Sequence, residues 1–165
     1  MVGADSLTRV SLTLQPMSAE RFVTWNEHLV HSYAQDKVDA GNWPAEGAVE
    51  RSAKENAELL PQGVDTPGHD IFVGTVDGLE VGVLWLFSEA ALPAPEAFIY
   101  DLEINAEHRG RGLGRELLTA AEQWCADHNV AVLRLHVFGT NTTAISLYES
   151  AGFETTNLNM AKQIR

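Results

Sequence analysis

Cysteine is almost missing from this chain: among 165 residues there is one, Cys125. A lone thiol closes no intramolecular disulfide. That excludes a cysteine-stapled secreted scaffold and makes a reducing, cytoplasmic setting the expectation. Basic residues are also scarce. Eleven Lys and Arg stand against 23 Asp and Glu, a net charge of −12, the wrong sign for gripping a phosphate backbone, so no nucleic-acid partner is expected. No apolar run approaches the roughly 18 residues of a membrane span. The longest, Val81–Phe87, has the length of a buried strand. The opening MVGADSLTRV has no basic start followed by an apolar stretch, so neither a signal peptide nor a membrane anchor is expected. His28 and His31 lie one helical turn apart, and His69 is a third imidazole. Without a second cysteine or an HExxH pattern beside them, no metal site is expected.

What is present is an ordinary globular composition, 45% apolar and 21% charged. The length suits a single domain spanning 1–165. The charge is unevenly spread. Residues 1–100 carry 5 Lys/Arg and 15 Asp/Glu, while residues 101–165 carry 6 and 8. Three of those last six cations, Arg109, Arg111 and Arg115, fall within seven residues. A small positive focus on an acidic surface suits a docked anion.

Hydrophobic period and turn residues give the elements. Arg9–Leu14 alternates as a strand that Pro16 ends, and Ser18 caps a helix over about 19–34. Pro44 suits the first position of a second helix that runs to about Leu60, where Pro61 stops it. Ile71–Val76 and Leu79–Phe87 flank Asp77-Gly78, a hairpin signal. A loop over Ala90–Ala97 leads to a strand at Phe98–Ile104. A helix follows over Leu113–His128, with Leu113, Leu117, Ala120, Ala121, Trp124 and Cys125 along one face. Then come a strand over Val130–Phe138, a helix over Thr140–Ser150 capped by Thr140 or Asn141, and one or two strands within Phe153–Ile164. The order predicts an α/β (α+β) fold, a mixed sheet with helices on both faces.

Residues 108–117 read HRGRGLGREL, between a strand and a helix. Glycine lets backbone N–H groups approach a ligand, and the first N–H groups of a helix have no partner within it. Such a turn is an anion cradle. The spacing excludes two common cradles. A dinucleotide fingerprint would need glycine at 115, which is Arg, and a phosphate loop of the Walker type would need Lys. What remains is Arg109-x-x-Gly112-x-Gly114. With it comes Asn141-x-x-Ala144-x-x-Leu147-Tyr148-Glu149-x-x-Gly152-Phe153.

These two segments resemble the hallmark motifs of the GNAT superfamily, the acyl-CoA-dependent N-acetyltransferases, in their bacterial form. The resemblance is specific over about 98–164, which it makes the acetyl-CoA-binding half, and looser over about 8–97, the acceptor-side half. It implies a single layer of six or seven mostly antiparallel strands with a splayed central pair. It implies direct attack of an amine on the thioester of acetyl-CoA, with no metal. By the same resemblance the amides around Arg109, Gly110, Arg111, Gly112, Leu113, Gly114 and Arg115 hold the cofactor's pyrophosphate. The backbone of Leu102, Glu103 and Ile104 takes the pantetheine arm and the oxyanion, and Asn141 contacts a cofactor amide. Tyr148, protonated at neutral pH with an ordinary pKa of about 10, is the general acid for the departing thiolate. The base is left among His136, Glu103 and Asp101, or a chain of waters. Asp101 and Glu103 share one face of their strand.

The acceptor is a primary amine. Glu27, Asp36, Asp39, Glu46, Glu50, Glu55 and Glu58 crowd the two helices expected to line its site, which favours a cationic small molecule. A protein N-terminus or lysine as acceptor, or an acyl-CoA-binding module without turnover, are the alternatives. A homodimer is compatible with the sequence. Trp25, Tyr33 and Trp43 either wall the acceptor site or pack.

Overall fold

The structure is a computed structural model that describes residues 11–88 and 95–164. Its frame is a five-stranded sheet in sequence order. Strands β1 (Leu12–Pro16), β2 (His69–Val76), β3 (Leu79–Ser88) and β4 (Glu96–Ile104) are successively antiparallel. Strand β5 (Val132–Leu135) runs parallel to β4. The helices are α1 (Ala19–Asp39), α2 (Ala48–Leu59), α3 (Leu113–Asp127) and α4 (Thr142–Ser150). The mixed α/β class agrees with the expectation. The first residues of the expected β1, and most of the loop over Ala90–Ala97, lie outside the described residues.

Local chemistry explains most boundaries. Asp77 and Gly78 both have positive φ, 51° and 78°, as the tight turn between β2 and β3 requires. Ser18 caps α1, its hydroxyl accepting from the Arg21 amide at 3.1 Å. The expected start of α2 at Pro44 is corrected to Ala48. Gly47 has φ 73°, a left-handed conformation that a helix interior does not contain, so the helix begins after it.

The two sheet faces carry separate cores. On one, α1 and the end of α2 cover β2 and β3 through Met17, Trp25, Leu60, Ile71, Val83 and Trp85. On the other, α3 supplies Leu117, Leu118 and Ala121 against Leu84, Leu86 and Ile99. The sorting follows the two-residue period of β3. Strand β4 keeps it only by means of a bulge. Trp85 pairs with Asp101 and Leu86 with Ile99, so Tyr100 is the extra residue. The bulge switches parity. Ile99 and Leu102 then both face the α3 core, while Asp101 and Glu103 face α1.

Two expectations about the C-terminal part need correction. The strand expected over Val130–Phe138 is limited to Val132–Leu135, opposite Glu96–Ile99. Beyond Leu135 the chain parts from β4 and has no ladder to join. The final strands expected within Phe153–Ile164 do not form, and the described sheet has five strands instead of six or seven. A strand exists only by pairing, and this segment pairs with no other described residue.

Candidate active site

The glycine-rich turn meets the demands of an anion cradle. Gly110 and Gly112 have φ of 72° and 77°, and a Cβ added at either would meet open space. Gly112 is the N-cap of α3. The N–H groups of residues 110–114 donate to no other described residue, leaving a run of free donors at a positive helix end. Gly114 has a different role. A Cβ there would press Leu147 of α4 at 3.2 Å, so it is glycine in order to let α4 approach α3. Leu113 is buried beneath the turn.

The three arginines are all engaged by the protein. Arg109 donates from Nε to the Ile104 carbonyl at 2.9 Å and from Nη2 to Glu103 Oε1 at 3.2 Å. Its guanidinium thus braces the end of β4. Arg111 donates to His108 Nδ1 at 3.2 Å. Arg115 reaches across to Ser150, bonding its hydroxyl and its carbonyl, which ties the start of α3 to the end of α4.

Strands β4 and β5 pair only over Glu96–Ile99 and Val132–Leu135. Beyond this, the edge of β4 facing β5 has no ladder partner from Asp101 to Ile104, while its other edge still pairs with β3. The opening is a wedge along the edge of β4 that β5 leaves unpaired. Gly82 of β3 fixes the geometry here. It lies opposite Ile104, and a Cβ would sit 2.3 Å from the Glu103 carbonyl oxygen.

Beside the wedge lies a cluster of titratable groups. The indole N–H of Trp25 donates to Asp101 Oδ2 at 3.0 Å. Burial pushes the Asp101 carboxyl up to about 6; Glu103 adds to the rise, while the Trp25 bond and His28 oppose it. Glu103 bridges His28 Nε2 at 3.0 Å and Arg109. Asp36 is raised above the ordinary carboxylate range, first by burial and then by the charges of Asp39 and Glu103. Trp25, His28, Ser32 and Asp36 share one face of α1, three of them polar where the helical period would place core. That interruption was the available signal for His28 and Asp36.

Tyr148 stands at the same place from the other side. Its ring packs against Phe153, with centroids 5.7 Å apart, at the rim of the α3 core. Its phenol pKa is raised by burial and then by the charge of Asp101. Asn141 caps α4, accepting from the Ala144 amide at 3.1 Å through Oδ1. Its side-chain N–H groups bond to no other described residue. His136 lies just beyond β5, exposed, with its ring edge-on to Phe138 at 5.0 Å. The structure brings Asp101 and Glu103 together on one face of β4, with Tyr148 close enough to feel the Asp101 charge.

On the α1–α2 side a cavity of about 100 Å³ is lined by Leu29, Tyr33, Glu55, Leu59, Trp85 and Tyr100, among others. Tyr100 stacks on Trp85 at 4.6 Å. Trp25 is therefore core and site at once, and Tyr33 is wall. Trp43 packs edge-on against Tyr33, with the Lys37 ammonium 5.2–5.3 Å from both rings. A larger groove of about 700 Å³ runs between β1 and α3. It shares no lining residue with the cluster. Among the described residues there is no group of three or more His, Cys, Asp or Glu that could hold a metal. No described helix is long and apolar enough to cross a membrane.

Known proteins agree with this geometry. The model of the acetyltransferase (GNAT) family matches residues 23–153. The N-acetyltransferase YycN of Bacillus subtilis (strain 168) is 36% identical over 156 residues, 94% of this chain and 100% of that one. A second N-acetyltransferase of that organism, YdgE, is 32% identical over 156 residues, 94% of this chain and 99% of its own. The crystal structure of YycN superposes with a TM-score of 0.91, covering 93% of this chain and 99% of that chain. With an unpartnered amide run at a helix start and a splayed strand pair beside it, the chain belongs to the GNAT family and is an acetyltransferase.

Proposed function

We propose that this enzyme transfers the acetyl group of acetyl-CoA to the primary amine of a cationic small molecule, with residues 1–165 acting as one catalytic unit. One observation carries the reading. At the splayed end of β4, Asp101 and Asp36 carry no cationic ion-pair partner among the described residues, and they sit in one charge-coupled cluster with Glu103 and Tyr148. Glu103 is already compensated by His28 and Arg109.

The residues present fit acetyl-CoA. The free amides of 110–114 suit its pyrophosphate, with Arg109 and Arg115 shaping the turn. The unpaired edge at Leu102–Ile104 suits an extended arm carrying amides, and the free side-chain N–H groups of Asn141 suit an amide carbonyl. Acetyl-CoA supplies an activated acyl group with a thiolate leaving group. The amine arrives as an ammonium and must shed a proton before it can attack. Asp101, with its pKa near 6, is ionised at neutral pH and accepts that proton directly or through a water. The Tyr148 phenol, raised in pKa, stays protonated and gives its proton to the departing sulfur. Backbone N–H groups on the open edge of β4 face the developing oxyanion. Among His136, Glu103 and Asp101, the raised pKa of Asp101 supports Asp101 as the base, with Glu103 holding His28 and Arg109.

The test is thiol release from acetyl-CoA over a panel of amines matched in size and differing in charge. Turnover of diamines, polyamines or aminoglycoside-like amines above amino acids of net negative charge is expected. Preference for an anionic amine, or for peptide N-termini regardless of charge, would overturn the acceptor class.

A further inference from the structure

Three aromatic rings stand apart from both cores. Tyr33 comes from α1, Trp43 from the segment between α1 and α2, and Phe138 from the stretch between β5 and α4. None belongs to the apolar cluster on either sheet face, and all three are half-buried. They meet each other instead. Tyr33 is edge-on to Trp43, with centroids 5.7 Å apart, and tilted against Phe138 at 6.5 Å. Backbone bonds hold two of the rings in place. The Trp43 amide donates to the Lys37 carbonyl at 3.2 Å, and the Asn141 amide to the Phe138 carbonyl at 2.9 Å.

The rings share one ammonium. Lys37 Nζ lies 5.2 Å from the Tyr33 ring, 5.3 Å from Trp43 and 5.9 Å from Phe138. Lys37 forms no ion pair with any described residue. The Arg51 guanidinium, by contrast, lies over Trp43 alone. Several rings around one cation make an aromatic cage, which suits alkylammonium groups. Here the guest is the chain's own, on a flexible four-carbon stem long enough to release it to water. The cage adjoins the titratable cluster. Tyr33 also lines the cavity with Trp85 and Tyr100, and the Tyr100 phenol is raised first by burial and then by Tyr33. Asp36, next to Lys37, feels the charge of Glu103. His28 bonds Glu103, and Tyr33 and Lys37 lie roughly 8 and 13 Å beyond it along α1.

We propose that Tyr33, Trp43 and Phe138 form a subsite for a second cationic group of the acceptor, and that Lys37 occupies it until the acceptor arrives. The inference rests on the cationic-acceptor reading and narrows it to amines that carry a further ammonium. One nitrogen reacts beside Asp101 and Glu103 while the other sits among the rings. An extended chain advances about 1.2 Å per bond, so the two nitrogens should be roughly seven to eleven bonds apart. Lys37 must first leave. The apparent affinity for the acceptor is reduced by the fraction of molecules in which the cage is filled.

Thiol release from acetyl-CoA should be measured with short and long α,ω-diamines and with the monoamine of each length. The ratio of kcat/KM for a long diamine to that for its monoamine should be about 3–30. For a diamine too short to reach the rings it should be smaller by most of that factor, which separates the cage from the general pull of an acidic surface. Lys37→Gln empties the cage, so the long-chain ratio should rise about 3-fold or more. A lysine that only packs would give no rise. Trp43→Leu should remove the length dependence, and Phe138→Leu takes its place should that variant fail to fold. A ratio that ignores length, or one that Lys37→Gln leaves unchanged or lowers, overturns the subsite. If cationic monoamines are still preferred to anionic ones, the subsite falls alone and the acceptor class stands. Should no amine turn over, tetramethylammonium is the probe. It should bind the Lys37→Gln protein about 3–30-fold more tightly than wild type and lose that gain when Trp43→Leu is added. Equal binding to wild type and Lys37→Gln overturns the proposal.

Discussion

The indole Nε1 of Trp25 lies 3.0 Å from Asp101 Oδ2 and donates to it. The donor belongs to a side chain 2% exposed, the acceptor to a carboxyl whose pKa burial has raised to about 6. A buried indole needs an acceptor, and this fold supplies one that can also exchange a proton near neutral pH. Core packing on α1 and the perturbed carboxyl on β4 are therefore joined through a single hydrogen bond.

Asp101→Asn should separate stability from activity. A pKa raised above its ordinary 3.8 means that the folded state holds the proton more tightly than the unfolded chain does. This contribution to stability is full below the ordinary carboxylate value and declines as pH rises toward about 6. At neutral pH the ionised group costs on the order of 1–3 kcal/mol. Asparagine still accepts from Trp25 and carries no charge, so denaturant melts should show a gain of that order at pH 7 and little change at pH 4. Turnover should fall about 10²–10⁴-fold. The acid limb of the wild-type profile, near pH 6, should vanish. An unchanged limb would assign the base elsewhere, with His136 next in line.

Tyr148→Phe keeps the ring that packs on Phe153 and removes the hydroxyl. Thermal stability should change little. If the phenol protonates the leaving thiolate, kcat should fall about 10²–10⁴-fold while KM for acetyl-CoA stays close to wild type. Using an acyl donor whose thiol has a low pKa should restore much of the loss. Near-normal turnover in the variant would leave Tyr148 as packing alone.

Much of this architecture is legible along the chain because its signals are local. Asp77-Gly78 dictates a turn whatever surrounds it, and the apolar stripe of α3 and the cap at Asn141 are equally self-contained. The bulge at Tyr100 is not legible, because it exists only as a mismatch of register with Trp85 and Leu86. Nor is the reason for Gly82, which lies in the carbonyl of Glu103 on the neighbouring strand. The motifs single out a region, the turn before α3 and the start of α4. Which acid in it is perturbed depends on burial beneath Trp25, a contact between residues 76 positions apart.

Gly112→Asp tests the anion cradle. The site has open space, and aspartate tolerates positive φ better than most residues. The variant should fold, with a loss of about 1–2 kcal/mol for the left-handed backbone. A carboxylate at the N-terminus of α3 would occupy the free amides and repel phosphate. Calorimetry should show acetyl-CoA affinity reduced by more than about 100-fold. Unchanged affinity in a folded variant would place the pyrophosphate elsewhere.

Gly82→Ala is a one-carbon change with a large expected effect. The new Cβ would collide with the Glu103 carbonyl oxygen, and Ile104 leaves no slack on its other side. Strands β3 and β4 must separate there, at a cost of about 1–3 kcal/mol or more. Because Glu103 and Ile104 anchor Arg109, acetyl-CoA turnover should fall with stability. Wild-type stability would mean that the two strands are less closely held than these contacts require.

Asp36 tests the proposed recognition of a cationic acceptor. After burial, the causes of its raised pKa are Asp39 and Glu103, both acidic. A carboxyl whose ionisation is opposed first by burial and then by negative neighbours lies in a negative potential, which favours a cation. Asp36→Asn should therefore raise KM for a cationic amine by about 3–30-fold, the range for losing one partly exposed charge contact, while kcat stays close to wild type. Added salt should raise the wild-type KM as the Debye length falls from about 10 Å at 0.1 M to 3 Å at 1 M. The same salt series on the Asn variant should be flatter, and a neutral amine of equal size should show neither effect. Equal salt dependence in both proteins would remove Asp36 from recognition. A salt-independent KM for the cationic amine would remove electrostatics altogether and leave the aromatic wall of Tyr33, Trp85 and Tyr100 as the selector.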